Sequence, residues 1–148
     1  MDPWTDALAA DGYRLTEARR AVIDVLRRSE APLQPQEILA LARVLHAALG
    51  LATVYRTVRL LTDAGLLRRI HRPDGCHGYL PASSERSDLV LCRVCGRAEE
   101  FRGAEAVRAL VRQVEVETGY TVTAYLLQCS GLCAACADLR PTMETSPG

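Results

Sequence analysis

The feature that most constrains this chain is a pair of Cys-x-x-Cys sequences, Cys92-Arg-Val-Cys95 and Cys133-Ala-Ala-Cys136, with 37 residues between them. A two-residue spacer lets both thiolates of a pair reach one tetrahedral Zn²⁺ at about 2.3 Å. Gly96, directly after the first pair, suits the tight turn that such a knuckle needs. A thioredoxin-like redox motif instead needs a single pair between a strand and a helix. We therefore predict that the four cysteines bind one structural zinc.

The chain has 148 residues, enough for one substantial domain or two small ones. A closed four-sulfur site leaves no coordination position open for catalysis, so we interpret it as a structural staple. Such a site contributes on the order of 10 kcal/mol of apparent folding free energy. A domain of about sixty residues needs this contribution because its core is small.

Composition and charge exclude several classes of protein. A hydrophobic content of 49% with 24% charged residues is typical of a globular chain, and no apolar run approaches the roughly 20 residues that span a bilayer. The N-terminal "MDPWTDALAADG" lacks the pattern of a secretory signal, so we expect a cytoplasmic protein with no membrane partner. Its 18 basic and 18 acidic residues balance, which argues against a protein that coats nucleic acid indiscriminately.

The first half of the sequence predicts three helices. "LTEARRAVIDVLRRS" has helical apolar spacing with Thr16 as its N-cap, and "LQPQEILALARVLHAALG" predicts a helix from about Pro35 to Gly50. "ATVYRTVRLLTDAG" predicts a third helix that stops at Gly65. Its buried face consists of Val54, Val58 and Leu61.

A hairpin follows the helices in "LLRRIHRPDGCHGYL", where residues 73–75 have the composition of a tight turn. His71 then faces either Cys76 across a symmetric loop or His77 across a loop with a glycine bulge. Three helices and a hairpin are the winged form of the helix-turn-helix, in which the third helix is placed to enter a major groove.

The second half has a different pattern. We assign residues 1–80 to a winged-helix DNA-binding domain, 81–87 ("PASSERS") to a hinge, 88–140 to a second domain and 141–148 to a disordered tail. In the second domain, "DLVLC", "RAEEF" and "YTVTAYLLQ" predict strands, and "GAEAVRALVRQVEVETG" predicts a helix. Its inward residues are Val107, Leu110, Val111 and Val114. The predicted fold class is α+β, a winged helix-turn-helix domain followed by a small α/β domain with the four-cysteine zinc site.

The segments "LTEARRAVIDVL", "LATVYRTVRLLTDAGLL" and "LCRVCGRAEEF", followed by "GLCAAC", resemble the ferric uptake regulator family of bacterial metal-responsive repressors. The resemblance runs from about residue 8 to residue 138. It implies that the second domain mediates dimerisation around a structural zinc. It also implies a homodimer that binds double-stranded DNA at palindromic operators when a regulatory metal is bound.

The resemblance also implies which residues contact DNA. Tyr55 and Arg56 stand in the recognition helix together with Thr53, and Arg14 stands where a basic residue meets the backbone or the minor groove. A tyrosine can pack on a thymine methyl, and an arginine can reach a phosphate or a guanine edge. Three further residues are weaker candidates for phosphate contacts, because a solvated helix face explains them equally well: Arg19, Arg20 and Arg59.

The sequence departs from the family where the sensing metal is usually bound. In place of a histidine-rich stretch before the first knuckle it has "SSERSDLVLC", where we take Asp88 alone as a surviving ligand position, and the usual histidine of the last strand is replaced around Tyr125. We interpret His46 as a packed or surface histidine and Cys129 as a buried structural thiol. The remaining soft ligands cluster in the hairpin, and zinc-sensing relatives use a carboxylate at the position of Glu100. The predicted regulatory set is His71, Cys76, His77 and Glu100.

A thiolate with imidazoles favours Zn²⁺ over Fe²⁺ or Mn²⁺, so within the family the sequence is most like the zinc uptake regulator branch. We predict a zinc-responsive regulator with a second, regulatory Zn²⁺ that bridges the two domains and favours the operator-binding dimer. An iron- or peroxide-responsive member and a constitutive DNA-binding member without a sensing site are the alternatives. A zinc enzyme is a further alternative, but nothing in the sequence supplies a general base in a pocket.

Overall fold

The computed structural model describes residues 2–82, 88–125 and 127–139. The chain divides between Glu85 and Arg86 into two compact units, called here the first and the second unit. Pro81, predicted to begin the hinge, is instead the last residue of a strand of the first unit. Residues 83–87 of the predicted hinge and the predicted tail 141–148 lie outside the described residues.

Helices α1 to α4 and a hairpin form the first unit. Thr16 caps α2 by accepting a hydrogen bond from the backbone N–H of Arg19 at 3.3 Å, as predicted. Gly65 follows α4 with a φ of +74°, also as predicted. Helix α1 was not predicted, and Asp2 caps it by accepting from the N–H of Trp4 at 3.2 Å. The elements are α1 (Pro3–Ala10), α2 (Glu17–Arg27), α3 (Pro35–Ala42), α4 (Leu51–Asp63), β1 (Leu67–His71) and β2 (His77–Pro81).

Helix α3 is shorter than the sequence predicts. It ends at Ala42, and Gly50 is the N-cap of α4 and not the end of α3. After Ala42 the backbone tightens, because the N–H of Leu45 bonds to the carbonyl three residues back at 3.0 Å. The Arg43 Nε donates to the carbonyl of Leu49 at 3.0 Å, which folds this segment back on the helix end. The prediction of a helix reaching Gly50 is therefore wrong, because tertiary contacts override the apolar spacing.

The hairpin of β1 and β2 is anchored on the loop before α3. Leu33 pairs with Tyr79 through two backbone hydrogen bonds of 3.0 and 2.8 Å, which adds a third short chain segment to the hairpin. The Arg72 Nη1 donates to the Glu37 carboxylate at 2.6 Å, and this bond raises the pKa of Arg72. Gly78 lies directly against Pro32. These contacts hold the hairpin on the start of α3.

Replacing Gly78 with Ala is expected to lower the free energy of unfolding by about 1 to 3 kcal/mol. The new Cβ would lie 2.7 Å from the Pro32 Cβ and 2.9 Å from the Pro32 carbonyl carbon. Urea denaturation of the full chain measures the loss. Gly50→Ala is the comparison, since nothing lies within 4 Å of a Cβ at that position. Because Gly50 is the N-cap of α4, where alanine is less favourable than glycine, a loss of up to about 1 kcal/mol is expected there. Equal losses in the two variants would contradict the steric explanation.

The described part of the second unit is a three-stranded sheet with two helices. The sheet order is β4-β3-β5, with β4 antiparallel and β5 parallel to β3. The elements are β3 (Asp88–Cys92), β4 (Ala98–Phe101), α5 (Ala104–Thr118), β5 (Gln128–Gly131) and α6 (Ala134–Asp138). The α+β class is confirmed. No helix in the described part of the chain is long and apolar enough to cross a membrane.

Two expectations for the second unit are wrong. Residues 120–125 form no strand, although "YTVTAYLLQ" predicts one, and the N–H of Val122 instead donates to the Glu115 carboxylate at 2.8 Å. On α5, Val107 is buried as predicted, but Leu110 and Val114 are 57% and 40% exposed. Apolar surface on this helix is therefore left uncovered by its own unit.

Candidate metal centre and nucleic-acid interface

The four cysteines of the two pairs meet at one end of the second unit. Cys92 ends β3, and a turn through Gly96, whose φ is +75°, places Cys95 beside it. The parallel pairing of β5 with β3 brings Cys133, the N-cap of α6, to the same end. The sulfur atoms of all four cysteines, including Cys136, lie within 4.8 Å of one another. The structure thus brings together the complete set predicted from the spacing.

Backbone groups prepare this cluster for a cation. The N–H of Cys133 donates to the Cys92 sulfur at 3.4 Å. Together with the N–H groups of Cys95 and Val94, it lowers the pKa of Cys92 from 9.0 to about 6. Hydrogen bonding to the Cys133 thiol and burial raise the pKa of Cys136 to about 12. The hydrogen bonds at Cys92 therefore favour its thiolate form, whereas those at Cys136 favour the thiol, whose proton a bound metal would displace.

The donor set fits zinc. Four thiols on two short turns can surround a tetrahedral ion, and the Cys95 and Cys133 sulfurs are already 3.8 Å apart. Cys92 and Cys136 are buried, which limits the access of water to the cluster. With four protein ligands no position remains for a substrate, so the chemistry available here is structural.

The hairpin places His71 and His77 directly opposite each other. Their ring centroids are 5.3 Å apart with an interplanar angle of 73°, and both side chains are exposed. The next pair is hydrogen-bonded, from the Arg72 N–H to the Cys76 carbonyl at 2.8 Å. The two histidines therefore occupy a non-hydrogen-bonded pair, where side chains approach most closely. Of the two registers that the sequence left open, the structure has the one with Gly75 at a φ of +82°.

The other two predicted ligands of the regulatory set are placed differently. Cys76 is exposed in the turn, where its N–H donates to the Asp74 carboxylate at 2.9 Å. In the described part of the first unit, it does not join the two histidines in a group compact enough to hold a metal. Glu100 is half-buried in β4, opposite Leu89, and belongs to the second unit.

Asp88, a ligand-type residue before the first cysteine pair, is buried. Asp88 is 4% exposed, and its Oδ2 lies 3.0 Å from the position of a Cβ on Gly103, next to the start of α5. This carboxylate is therefore enclosed within the second unit.

Cys129 was expected to be a buried thiol, but the structure leaves it exposed on β5. A parallel edge strand covered on few sides explains the difference.

Helix α4 presents the predicted DNA-contacting side chains on its outer face. Val54, Val58 and Leu61 are buried as predicted. Tyr55 is 48% exposed and Arg56 is exposed, whereas Thr53 is half-buried. The helix can therefore offer an aromatic ring and a guanidinium to a ligand without disturbing its core.

Arg14 lies in the segment between α1 and α2 and is exposed. Sequence reasoning missed the contacts around it. The Arg19 Nη1 donates to the carbonyl of Arg14 at 2.5 Å, and the Arg19 guanidinium lies 5.3 Å from the centre of the Tyr13 ring. Only knowledge of α1, whose end positions Tyr13, could have revealed them.

Comparisons with known proteins agree with this architecture. The ferric uptake regulator family model matches residues 10–130. A ferric uptake regulation protein of Rhizobium leguminosarum bv. viciae is 31% identical over 121 residues, which cover 82% of this chain and 84% of that protein. A zinc uptake regulation protein of Mycobacterium tuberculosis is 28% identical over 129 residues, 87% of this chain and 98% of that protein.

Solved structures give the same result. A zinc-bound manganese uptake regulator has a TM-score of 0.66 at 28% identity and covers 89% of this chain and 99% of its own. A zinc uptake regulator complexed with zinc and DNA has a TM-score of 0.71 at 23% identity, covering 91% of both chains, and shows the shared fold. The chain therefore belongs to the ferric uptake regulator family of metal-responsive, DNA-binding transcription regulators, and it is not an enzyme.

Proposed function

We propose that this chain is a zinc-responsive regulator that controls genes of zinc homeostasis in the cytoplasm. The observation that carries the choice of metal is the pairing of His71 with His77 beside Cys76. Imidazole and thiolate ligands suit zinc, whereas sensors of iron and manganese tolerate oxygen-rich sites. Similar proteins include both ferric and zinc regulators, so similarity does not identify the sensed metal, and the proposal of zinc is based on ligand chemistry.

The proposed regulatory site consists of His71, Cys76, His77 and Glu100. The first three lie on one hairpin and are exposed, and the ring centroids of the two histidines are 5.3 Å apart. Glu100 supplies the carboxylate and remains a prediction from the sequence. Zinc binding favours the operator-binding form because the ion binds that form more tightly.

A second zinc, held by the four-cysteine cluster, is proposed to be structural. The active form is a homodimer, and the uncovered apolar surface of the second unit supports this assembly. Leu110, Val114 and Tyr120 are 57%, 40% and 76% exposed. Large apolar side chains exposed together on a small unit are typical of an interface. A two-fold dimer would then match a palindromic operator.

DNA contact is assigned to Tyr55, Arg56 and Thr53 on α4, and to Arg14 before α2. The exposure of Tyr55, Arg56 and Arg14 supports this assignment, as does the firm burial of the opposite face of α4. Double-stranded DNA with two inverted half-sites is the proposed partner.

The metal response is tested by measuring DNA binding across a series of zinc buffers and again with Fe²⁺ and with Mn²⁺. The probe is a duplex selected from a random library by the full-length protein. Affinity that rises with buffered zinc supports the proposal. A response to Fe²⁺ alone would support the iron-responsive alternative, and binding that ignores all three metals would support the constitutive one.

Replacing Cys76 with Ser is expected to lower the zinc content from two ions to one per chain and to remove most of the zinc-dependent gain in DNA affinity. That gain is expected to be roughly 5- to 150-fold. His71→Gln and His77→Gln should act in the same way. Zinc content by mass spectrometry of metals and DNA affinity by fluorescence anisotropy provide the measurement.

His46→Gln is the matched control for these variants, because His46 is the remaining histidine and lies in the turn after α3. It should keep both zinc ions and the full response. Unchanged zinc content in Cys76→Ser and both hairpin histidine variants would disprove the proposed site, and an effect of Glu100→Gln alone would restrict it to the second unit.

A further inference from the structure

The segment that carries Arg14 begins at a fixed turn. Gly12, two residues after the end of α1, has a φ of +74°, and its N–H bonds to the Ala9 carbonyl at 3.0 Å. The N–H of Tyr13 bonds to the carbonyl of Leu8, a residue buried to 1% exposure, at 2.9 Å. Because these are the paired bonds of a helix-ending motif, the chain leaves α1 in one direction. Tyr13 is thereby placed before the start of α2.

Arg19 closes the segment from the other side. Its backbone N–H donates to the Thr16 hydroxyl at 3.3 Å, within the first turn of α2. Its side chain turns back, so that the guanidinium lies over the Tyr13 ring at 5.3 Å and donates to the Arg14 carbonyl at 2.5 Å. A cation over an aromatic face and a hydrogen bond to the main chain together restrict residues 13–16.

The Arg14 side chain differs from that of Arg19. It is exposed, and within the described residues no ion pair or side-chain hydrogen bond engages it. An exposed arginine on an irregular segment loses backbone freedom when it binds DNA, and a segment that is already fixed loses less. We propose that Arg19 is a positioning residue for DNA binding, which acts by holding residues 13–16 so that Arg14 is presented to the DNA. This rests on the proposed contact between Arg14 and DNA.

The competing explanation is that Arg19 itself contacts a phosphate. Salt dependence separates the two, since each phosphate contact adds about 0.9 to the slope of log K against log salt concentration. Replacing a positioning residue can remove at most the phosphate contact of the residue that it positions, which here is Arg14. Tyr13 provides a second way to distinguish the two explanations, because replacing its ring changes no charge.

The test measures anisotropy of the library-selected duplex with the full-length, zinc-loaded protein over a salt series. Arg14→Ala, Arg19→Gln and Tyr13→Ala are each expected to lower affinity by up to about tenfold. Adding Arg14→Ala to either of the other two should cause no further loss of affinity or slope. Tyr13→Phe, which keeps the ring, should bind like the wild type.

Amide hydrogen exchange of the free protein provides a readout without DNA. Arg19→Gln and Tyr13→Ala should speed exchange at the backbone N–H groups of positions 13 and 19, which donate to the Leu8 carbonyl and the Thr16 hydroxyl, and leave the buried amides of α2 and α4 unchanged. Arg28→Gln removes the same charge from the other end of α2 and should leave both of these N–H groups as protected as in the wild type. Exchange that is unchanged in both test variants would overturn the inference.

Two binding results would also overturn it. Losses that multiply in Arg14→Ala/Arg19→Gln, with a slope reduced by about 1.8, would mean that Arg19 makes its own phosphate contact. Wild-type affinity in Tyr13→Ala would exclude the role of the ring. If the zinc response and the losses in Tyr55 and Arg56 variants persist in either case, the inference fails while the proposed function stands. If Arg14→Ala itself has no effect, the proposed Arg14 contact fails as well.

Discussion

Replacing Cys95 with Ser is expected to release the zinc proposed for the second unit and to unfold that unit. Four thiolates around one ion contribute on the order of 10 kcal/mol of apparent folding free energy, and three ligands with a hydroxyl in the fourth position retain only part of it. The Cys95 sulfur lies 3.8 Å from that of Cys133, so its loss opens the cluster directly. Zinc content and circular dichroism of the full chain measure the two effects.

The second unit has little else to hold it together. Among the described residues its buried apolar side chains are five, and two of these are cysteines of the cluster: Leu89, Leu91, Cys92, Val107 and Cys136. The described residues of the first unit include fourteen buried apolar side chains. The first unit should therefore keep its helical signal in Cys95→Ser, and the loss should be confined to the second.

Cys129→Ser is the matched control. This thiol is exposed on β5, opposite Val90, and is not part of the cluster. It makes the same atomic change in the same unit and should leave zinc content and stability unchanged. Stoichiometric zinc and wild-type melting in Cys95→Ser would show that the cluster does not hold the stabilising ion.

The elements that the sequence predicted well are those determined by local chemistry. Thr16 caps α2 through its own hydroxyl, and the glycines that follow α4 and α5, Gly65 and Gly119, take positive φ values that few other residues accept. Helix α1 was missed although its start carries a local signal, the N-cap Asp2 followed by Pro3. The part that no sequence pattern shows is its anchor on α2. Asp2 pairs with Arg27, which also lies over the Trp4 ring. No local pattern contains such a contact.

The wrong predictions share a cause. Apolar spacing after α3 and after α5 predicted regular elements, but some of those side chains face solvent. Val44 is 84% exposed, and Tyr120 is 76% exposed. Periodicity identifies apolar faces without telling which of them the chain itself covers. In α5 this limitation is informative, because the uncovered residues are those that the proposed dimer would bury.

Some parts of the candidate sites could be predicted from the sequence and others could not. Cysteine spacing alone predicted the four-sulfur cluster, since the geometry of a knuckle is local. The turn at residues 73–75 limited the hairpin to two registers, and only the backbone could select the pairing of His71 with His77. The contacts of Arg19 with the Tyr13 ring and the Arg14 carbonyl depend on the position of α1, so they could not be predicted from the sequence.

Replacing Arg56 with Ala is expected to weaken operator binding by about 1 to 3 kcal/mol, roughly 5- to 150-fold. The side chain is exposed on α4, so its removal leaves the helix core of Val54 and Val58 intact. Tyr55→Ala should cause a comparable loss, and Tyr55→Phe a smaller one if the ring packs on a thymine methyl. Competition with mutated duplexes and melting of the free protein complete the measurement.

Comparison with Arg59→Ala shows whether Arg56 contacts a base or a phosphate. It removes the same charge from the same helix, but Arg59 lies 3.8 Å from Asp63 and is 84% exposed. A base contact by Arg56 predicts that Arg56→Ala loses discrimination at one position of the operator while Arg59→Ala does not. A phosphate contact predicts instead a uniform loss with a salt slope lower by about 0.9. Equal and additive losses in the two variants would mean that α4 contributes charge and not recognition.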